Sequence, residues 1–284
     1  MAAATRTHNL ALPAIALFLD VDGTLLEIAA RPQAVSVPDD LRERLRGLCL
    51  ASGGGVALVS GREISDLDSL FAPLTLPSAG LHGFEHRGHA GVYRRRPAPS
   101  AVALETARAA LAELARQHAG LVVEDKRFAL ALHYRDAPQL EETALAAVRD
   151  IASRVGDDLE LQRGKMVVEL RPAGATKAQA VAAFLAEVPF VGRLPIFIGD
   201  DLTDEPAFEL VNRLGGLSVV VGARRPSAAR TRLRDVSAVR DWLAQLQAEP
   251  VAALRRLADA QPGPSACEDT LRAAPLGSLL RSRA

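Results

Sequence analysis

The chain has 284 residues, with 34 basic and 34 acidic side chains and therefore no formal net charge. That balance argues against a nucleic-acid or anionic-membrane binder, which carries a basic excess, and eight Phe, two Tyr and one Trp leave little for base-stacking platforms. Hydrophobic residues at 49% suffice for a sizeable core, and at roughly 150 residues per domain the length suggests two domains.

The N-terminal stretch has no basic region followed by an apolar run and a cleavage site: Leu10 to Leu19 is interrupted by Pro13 and ends at Asp20. No segment approaches the ~20 apolar residues that span a bilayer. Cys49 and Cys267 fit no disulfide framework, which suits a reducing compartment. The expectation is a soluble, cytoplasmic, monomeric protein with no nucleic-acid or membrane partner.

Ala14 to Leu19 is an apolar run ending abruptly in Asp-Val-Asp-Gly-Thr, which predicts a buried strand. Pro38, Asp39 and Asp40 open a helix with Leu41, Leu45 and Leu48 on one face, and Gly53 to Gly55 end it. A second buried strand, Val56 to Val59, stops at Ser60-Gly61; a helix from Ile64 to Phe71 and a short strand at Ala79 to Leu81 follow. Uniformly apolar strands alternating with helices indicate a parallel sheet covered on both faces. After Gly91 the character changes. Arg94, Arg95, Arg96, Pro97 and Pro99 read as a polar connection. Beyond it come a helix (Ala101 to Gln117), strands at Leu121 to Glu124 and Phe128 to Tyr134, a helix (Leu140 to Val155), and strands at Leu159 to Gln162 and Met166 to Leu170. These form a separate α+β unit. The α/β rhythm then resumes with a helix from Lys177 to Glu187, strand Ile196 to Ile198, helix Pro206 to Leu214 and strand Leu217 to Val221. The expected division is a core over 10–96 and 173–248, an inserted unit over 97–172, and a partly ordered tail over 249–284.

Polar clusters fall at the ends of successive apolar strands, where open α/β sheets bind ligands. Asp20 and Asp22 follow the first strand, Ser60 the second, and Asp200, Asp201 and Asp204 a later one. Two carboxylates that close resist joint ionisation without a cation or proton between them. With Asp200 they make a hard, oxygen-rich set suited to Mg²⁺. Gly23 would let the backbone approach an anion, Thr24 supplies a hydroxyl, Ser60 can donate to a phosphate oxygen, and Lys177 offers a compact positive charge. An EF-hand is excluded because Gly23 arrives too early. His82, His86 and His89 do not make a zinc site, since Gly83 and Gly88 break any helix there and no HExxH is present. Of the 34 basic residues, the lysines are Lys126, Lys165 and Lys177; all others are arginine.

DVDGT, Ser60 after its strand, Lys177 and GDDLTDE resemble the four motifs of the haloacid dehalogenase (HAD) superfamily. LFLDVDGTLLEI, SGR, LHGFE, FALALHYR, GKMVVELRP, TKAQAV and IFIGDDLTDE resemble its trehalose-6-phosphate phosphatases, from about Leu17 to Trp242. The resemblance implies a Rossmann-like parallel-sheet core with an inserted α+β cap of C2 type. It implies Asp20 as nucleophile, Asp22 as acid and base, Ser60 and Lys177 on the transferring phosphoryl oxygens, and Mg²⁺ held by Asp20, the Asp22 carbonyl and Asp200. Asp204 would orient the metal shell or Lys177. On the cap side, Glu124, Lys126, Arg135 and Glu169 would read the hydroxyls of a phosphorylated disaccharide, with Arg62 and Lys165 as weaker candidates. A phosphatase for sucrose phosphate or another sugar phosphate, or a catalytically silent sugar-phosphate sensor, is the alternative.

Overall fold

The described residues of this computed structural model are 14–28, 35–223 and 226–259, and they fold as three consecutive segments. The first contains β1 (Ile15–Leu19), α1 (Asp39–Ala51), β2 (Val56–Val59), α2 (Ile64–Phe71), β3 (Ser78–Gly80), β4 (Glu85–Arg87) and β5 (Tyr93–Arg95). The second contains α3 (Ala101–Gln117), β6 (Val122–Asp125), β7 (Leu130–His133), α4 (Glu141–Val155), β8 (Leu159–Gly164) and β9 (Val167–Pro172). The third contains α5 (Lys177–Leu185), β10 (Leu194–Gly199), α6 (Glu205–Arg213), β11 (Leu217–Val221), β12 (Thr231–Leu233), α7 (Val236–Ala248) and α8 (Pro250–Asp259).

The first and third segments build one eight-stranded sheet in the order β12-β11-β10-β1-β2-β3-β4-β5. β1 lies at its centre, parallel to β10 and β2. Its side chains alternate between two packed layers. Ile15, Leu17 and Leu19 join Leu41, Leu45, Trp242 and Leu246 on one face, whereas Ala16 and Phe18 join Phe184, Phe197 and Phe208 on the other. Covered on both faces, the strand has no use for polar alternation, which is why its sequence is a continuous apolar run. The second segment forms an antiparallel sheet, β6-β7-β9-β8, with α3 and α4 on one face. Val123, Leu130, Leu132, Val168 and Leu170 turn toward those helices, so their neighbours Glu124, Ala131 and Glu169, which share one cross-strand row, face the other way. A small apolar knot of Leu81, Phe84, Phe128, Ala129 and Ala175 joins the two units at their boundary.

The structure corrects two expectations and adds elements that the sequence reading had not placed. The Arg94–Arg96 connection is partly a strand: β5 pairs antiparallel with β4, which pairs antiparallel with β3, so the sheet is mixed at this edge and not wholly parallel. Both strands are three residues long and polar, and all three residues of β5 are exposed, so neither periodicity nor apolarity marks them. Leu81 leaves the expected strand for a 3-10 turn, with φ of 46°. β12, α7 and α8 extend the core beyond Val221. In the expected tail, α8 buries Ala253, Leu254, Leu257 and Ala258 against the α1 and α7 side of the core. The expectations for 10–13 and 260–284, including Cys267, lie outside the described residues. No helix among the described residues is long and apolar enough to cross a membrane.

Candidate active site

Three loops leave the carboxyl ends of β1, β2 and β10 and converge, as the sheet topology requires. The β1 loop carries Asp20, buried, whose Oδ2 accepts from the Thr24 hydroxyl at 3.1 Å. Gly23 follows at φ 84°, and a Cβ there would lie 2.2 Å from Asp200 Oδ2. The glycine is therefore needed for the approach of another carboxylate to the β1 loop, a closer partner than the anion expected from the sequence. At the end of β2, Ser60 is buried, and its Oγ accepts from the Arg62 backbone N–H. The Arg62 guanidinium reaches back to Asp22 in a bidentate pair, both bonds 2.7 Å. Burial disfavours the charged guanidinium, but the Asp22 contact overrides that and raises its pKa.

Lys177 opens α5, its N-cap Thr176 accepting from the Gln179 N–H. The Lys177 ammonium is buried between Asp20 Oδ1 and Asp204 Oδ1, 2.6 Å from each. Burial alone would lower its pKa; the two carboxylates outweigh burial and push it well up, so the ammonium is held charged. Asp204 is itself fixed, its Oδ2 accepting from the Asp201 N–H at 2.9 Å in a reciprocal capping arrangement ahead of α6.

Asp20, Asp200 and Asp204 present carboxylate oxygens within 4.8 Å of one another. Burial, assisted by Asp204 and Asp22 against the pull of Lys177, raises Asp20 to about 6. Burial followed by repulsion from Asp20 and Asp204 raises Asp200 to about 8. Asp200 Oδ1 is buried with no hydrogen-bond partner among the described residues, whereas both Asp204 oxygens are engaged. A buried carboxylate oxygen left unpaired beside a second carboxylate is a donor set that fits Mg²⁺, which takes few carboxylates and keeps other oxygens around it. The Asp22 side chain is turned away from this group toward Arg62.

The cap closes the other side. Glu169 on β9 is buried and lies against the 3-10 turn of the core, where His82 Nε2 donates to Glu169 Oε2 at 3.0 Å. Lys126, following β6, donates to Glu169 Oε1 at 2.5 Å and lies 3.4 Å from the Gly61 carbonyl of the core. Burial would raise the Glu169 pKa, but Lys126 and His82 together hold it well below the usual carboxylate range. Glu124 Oε2 accepts from His133 Nε2 at 2.8 Å, and that bond, with Lys126, lowers its pKa against burial. Lys165, in the β8–β9 turn, places its ammonium 3.8 Å from Asp200 Oδ2.

Of the residues singled out from the sequence, all but Gly23, Thr24 and Asp204, which lies behind Lys177, line one cavity of about 160 Å³. Asp20, Asp22, Ser60, Arg62, Lys177 and Asp200 come from the core; Glu124, Lys126, Arg135, Lys165 and Glu169 come from the cap. All three lysines of the chain are among them. The sequence did not single out His133, which also lines the cavity, and it gave His82 no role beyond the LHGFE string and a rejected zinc site. His82 lies two residues past the end of β3, and a left-handed turn, not the strand direction, aims its ring.

A family model described as trehalose-phosphatase matches residues 18–237. The chain is 44% identical over 228 residues to the trehalose-6-phosphate phosphatase of Escherichia coli strain K12, an alignment covering 80% of this chain and 85% of that protein. It is 46% identical over 232 residues to a probable trehalose-phosphate phosphatase of Sinorhizobium fredii, covering 81% and 87%. Among solved structures, the C-terminal domain of a C. albicans trehalose-6-phosphate phosphatase superposes with a TM-score of 0.71 at 22% identity, over 83% of this chain and 92% of that one. The C-terminal domain of a Candida albicans trehalose synthase regulatory protein shares the fold at a TM-score of 0.60 and 14% identity, over 80% and 93%.

Proposed function

The chain belongs to the trehalose-phosphatase family, and from this and its site we propose that it hydrolyses trehalose 6-phosphate to trehalose and phosphate through an aspartyl-phosphate. The observation that carries the mechanism is the buried Asp20–Lys177–Asp204 chain at the floor of a cavity roofed by charged cap residues. Because the same fold serves a regulatory domain, fold alone does not decide the activity; the presence of both Asp20 and Asp22 favours turnover over silent sensing.

In this reading Asp20 attacks phosphorus, forming a bond from its carboxylate oxygen as the bond to the sugar oxygen breaks. Asp22 gives its proton to the departing sugar oxygen, then takes one from the water that hydrolyses the acyl phosphate. To reach the sugar oxygen Asp22 must leave Arg62, because both its carboxylate oxygens are occupied accepting from the guanidinium. Lys177 and the Ser60 hydroxyl hold the phosphoryl oxygens, and Lys177 keeps Asp20 aimed while Asp204 keeps Lys177 in place. The Asp20 and Asp200 carboxylates and the Asp22 carbonyl would hold Mg²⁺. When bound, Mg²⁺ supplies positive charge that offsets the repulsion between those carboxylates and the phosphoryl oxygens. Glu124, Lys126, Arg135 and Glu169 would bond the sugar hydroxyls, with Arg62 and Lys165 at the phosphate end. This reading takes the protein as soluble, cytoplasmic and monomeric.

Phosphate release from trehalose 6-phosphate, sucrose 6-phosphate and glucose 6-phosphate, with and without Mg²⁺, tests it. Trehalose 6-phosphate should be turned over best, and only with the metal. Equal turnover of glucose 6-phosphate would remove the disaccharide assignment, and binding of the phosphorylated disaccharide without turnover would make the protein a sensor.

A further inference from the structure

His82 occupies an unusual place between the phosphate end and the sugar end of the cavity. Its backbone N–H donates to the Ser60 carbonyl at 2.9 Å, so it is tied to the loop carrying the phosphate-binding hydroxyl. Its ring lies against Gly61, where a Cβ would be 2.9 Å from the imidazole. Its Nε2 donates across the core–cap boundary to Glu169, which also pairs with Lys126. Leu81, His82 and Gly83 all have positive φ, at 46°, 58° and 102°. A run of left-handed residues, two of them not glycine, is costly and persists only where surrounding contacts enforce it. Here that backbone turns the imidazole off the line of β3 and into the boundary.

We propose that His82 is a positioning residue for the disaccharide reaction, fixing the Glu169 carboxylate through its Nε2–H so that Glu169 and Lys126 meet the sugar in one set geometry. This rests on the reading of Glu169 as a sugar-contacting group. An ionised carboxylate has about four lone-pair sites, and His82 and Lys126 take one on each oxygen. The remaining sites are left to accept sugar hydroxyls in directions the imidazole and ammonium dictate. His82 Nδ1 is buried with no hydrogen-bond partner among the described residues, which matches a neutral ring carrying its hydrogen on Nε2. Burial, outweighing the Glu169 contact, lowers the His82 pKa and agrees with that tautomer. Because the same residue is bonded to the Ser60 loop, it sets the distance between the phosphate-holding and sugar-holding parts of the site.

The test compares steady-state kinetics on trehalose 6-phosphate and on p-nitrophenyl phosphate, which has no sugar to be read. His82→Ala should raise KM for trehalose 6-phosphate roughly 10-fold or more, the scale of a lost hydrogen bond to a charged group, and should impair p-nitrophenyl phosphate turnover far less. His82→Gln, whose amide can reach the Nε2 position, should restore most of the loss. His82→Asn, which tolerates the left-handed backbone but is too short to reach Glu169, should not. In a Glu169→Ala background, His82→Ala should cause no further loss. Equal damage on both substrates, rescue by Asn as well as Gln, no rescue by Gln, no change in KM, or additive loss in the double variant would each overturn the proposal. Wild-type enzyme without a preference for trehalose 6-phosphate would instead sink the substrate reading, and this proposal with it.

Discussion

Lys177 shows how far one side chain can be specified by its surroundings. Its ammonium donates to two carboxylates at 2.6 Å each from a fully enclosed position. A compact ammonium can point to partners set at wide angles, whereas a guanidinium presents donors in a planar fork and needs more room. Lys177→Arg should therefore preserve the charge yet displace Asp20, and a shift of about 1 Å in a reacting group costs on the order of 100-fold. We expect kcat for trehalose 6-phosphate to fall by about that factor, with the circular dichroism spectrum unchanged; an Arg variant with normal kcat would show that charge alone suffices. The scarcity of lysine pointed to this position, and Lys126 and Lys165 line the same cavity. Strand-end logic gave Asp20, Ser60 and Asp200 their neighbourhood. It could not show that Asp22 turns to Arg62 or that Gly23 makes room for Asp200, because those are facts about side-chain direction and close approach.

Among the elements, legibility followed burial. β1 and β2 are apolar because both faces are covered, and α3 was bounded by its own 3.6-residue pattern, with Ala103, Leu104, Ala107 and Leu111 inside. β4 and the edge strand β5 carry no such signal; Arg87 pairing with Asp68 and Tyr93 bonding to Glu85 fix them through tertiary contacts. α8 was obscured by the Pro-, Gly- and Ser-rich residues beyond it, although Pro250 at its start is a good first helical residue. Its attachment is substantial: the Thr231 hydroxyl donates to the Leu257 carbonyl at 2.9 Å, the Trp242 indole donates to the Ala253 carbonyl at 3.2 Å, and Leu257 is buried in the main cluster. Leu257→Ala should cost about 2–4 kcal/mol, the range for a buried leucine truncation. Since α8 contributes nothing to the cavity lining, the urea midpoint should drop with kcat and KM unaltered. Loss of activity without loss of stability would place α8 in the catalytic machinery.

At the scale of the molecule, zero net charge conceals a concentration of acid at one point. The core and the cap together line a cavity of about 160 Å³. Beneath it Asp20, Asp200 and Asp204 repel one another, and Lys177 offsets that only in part. Burial and these neighbours raise Asp200 from 3.8 to about 8. A carboxyl group whose folded pKa lies above its unfolded value favours the fold while protonated, and that contribution is lost as pH rises through the folded value. Between pH 7 and 8.5 the unfolded chain's carboxylates have no proton left to release, whereas Asp200 gives up its own. The metal-free protein should lose about 1 kcal/mol over this interval, seen as a fall in Tm of roughly 2–4 °C. Mg²⁺ competes with that proton, so the rise in Tm it produces should be larger at pH 8.5 than at pH 7. A metal-free Tm that stays level, or a Mg²⁺ increment equal at both pH values, would show that Asp200 is already ionised at neutral pH and that the acidic cluster is balanced by Lys177 without the metal.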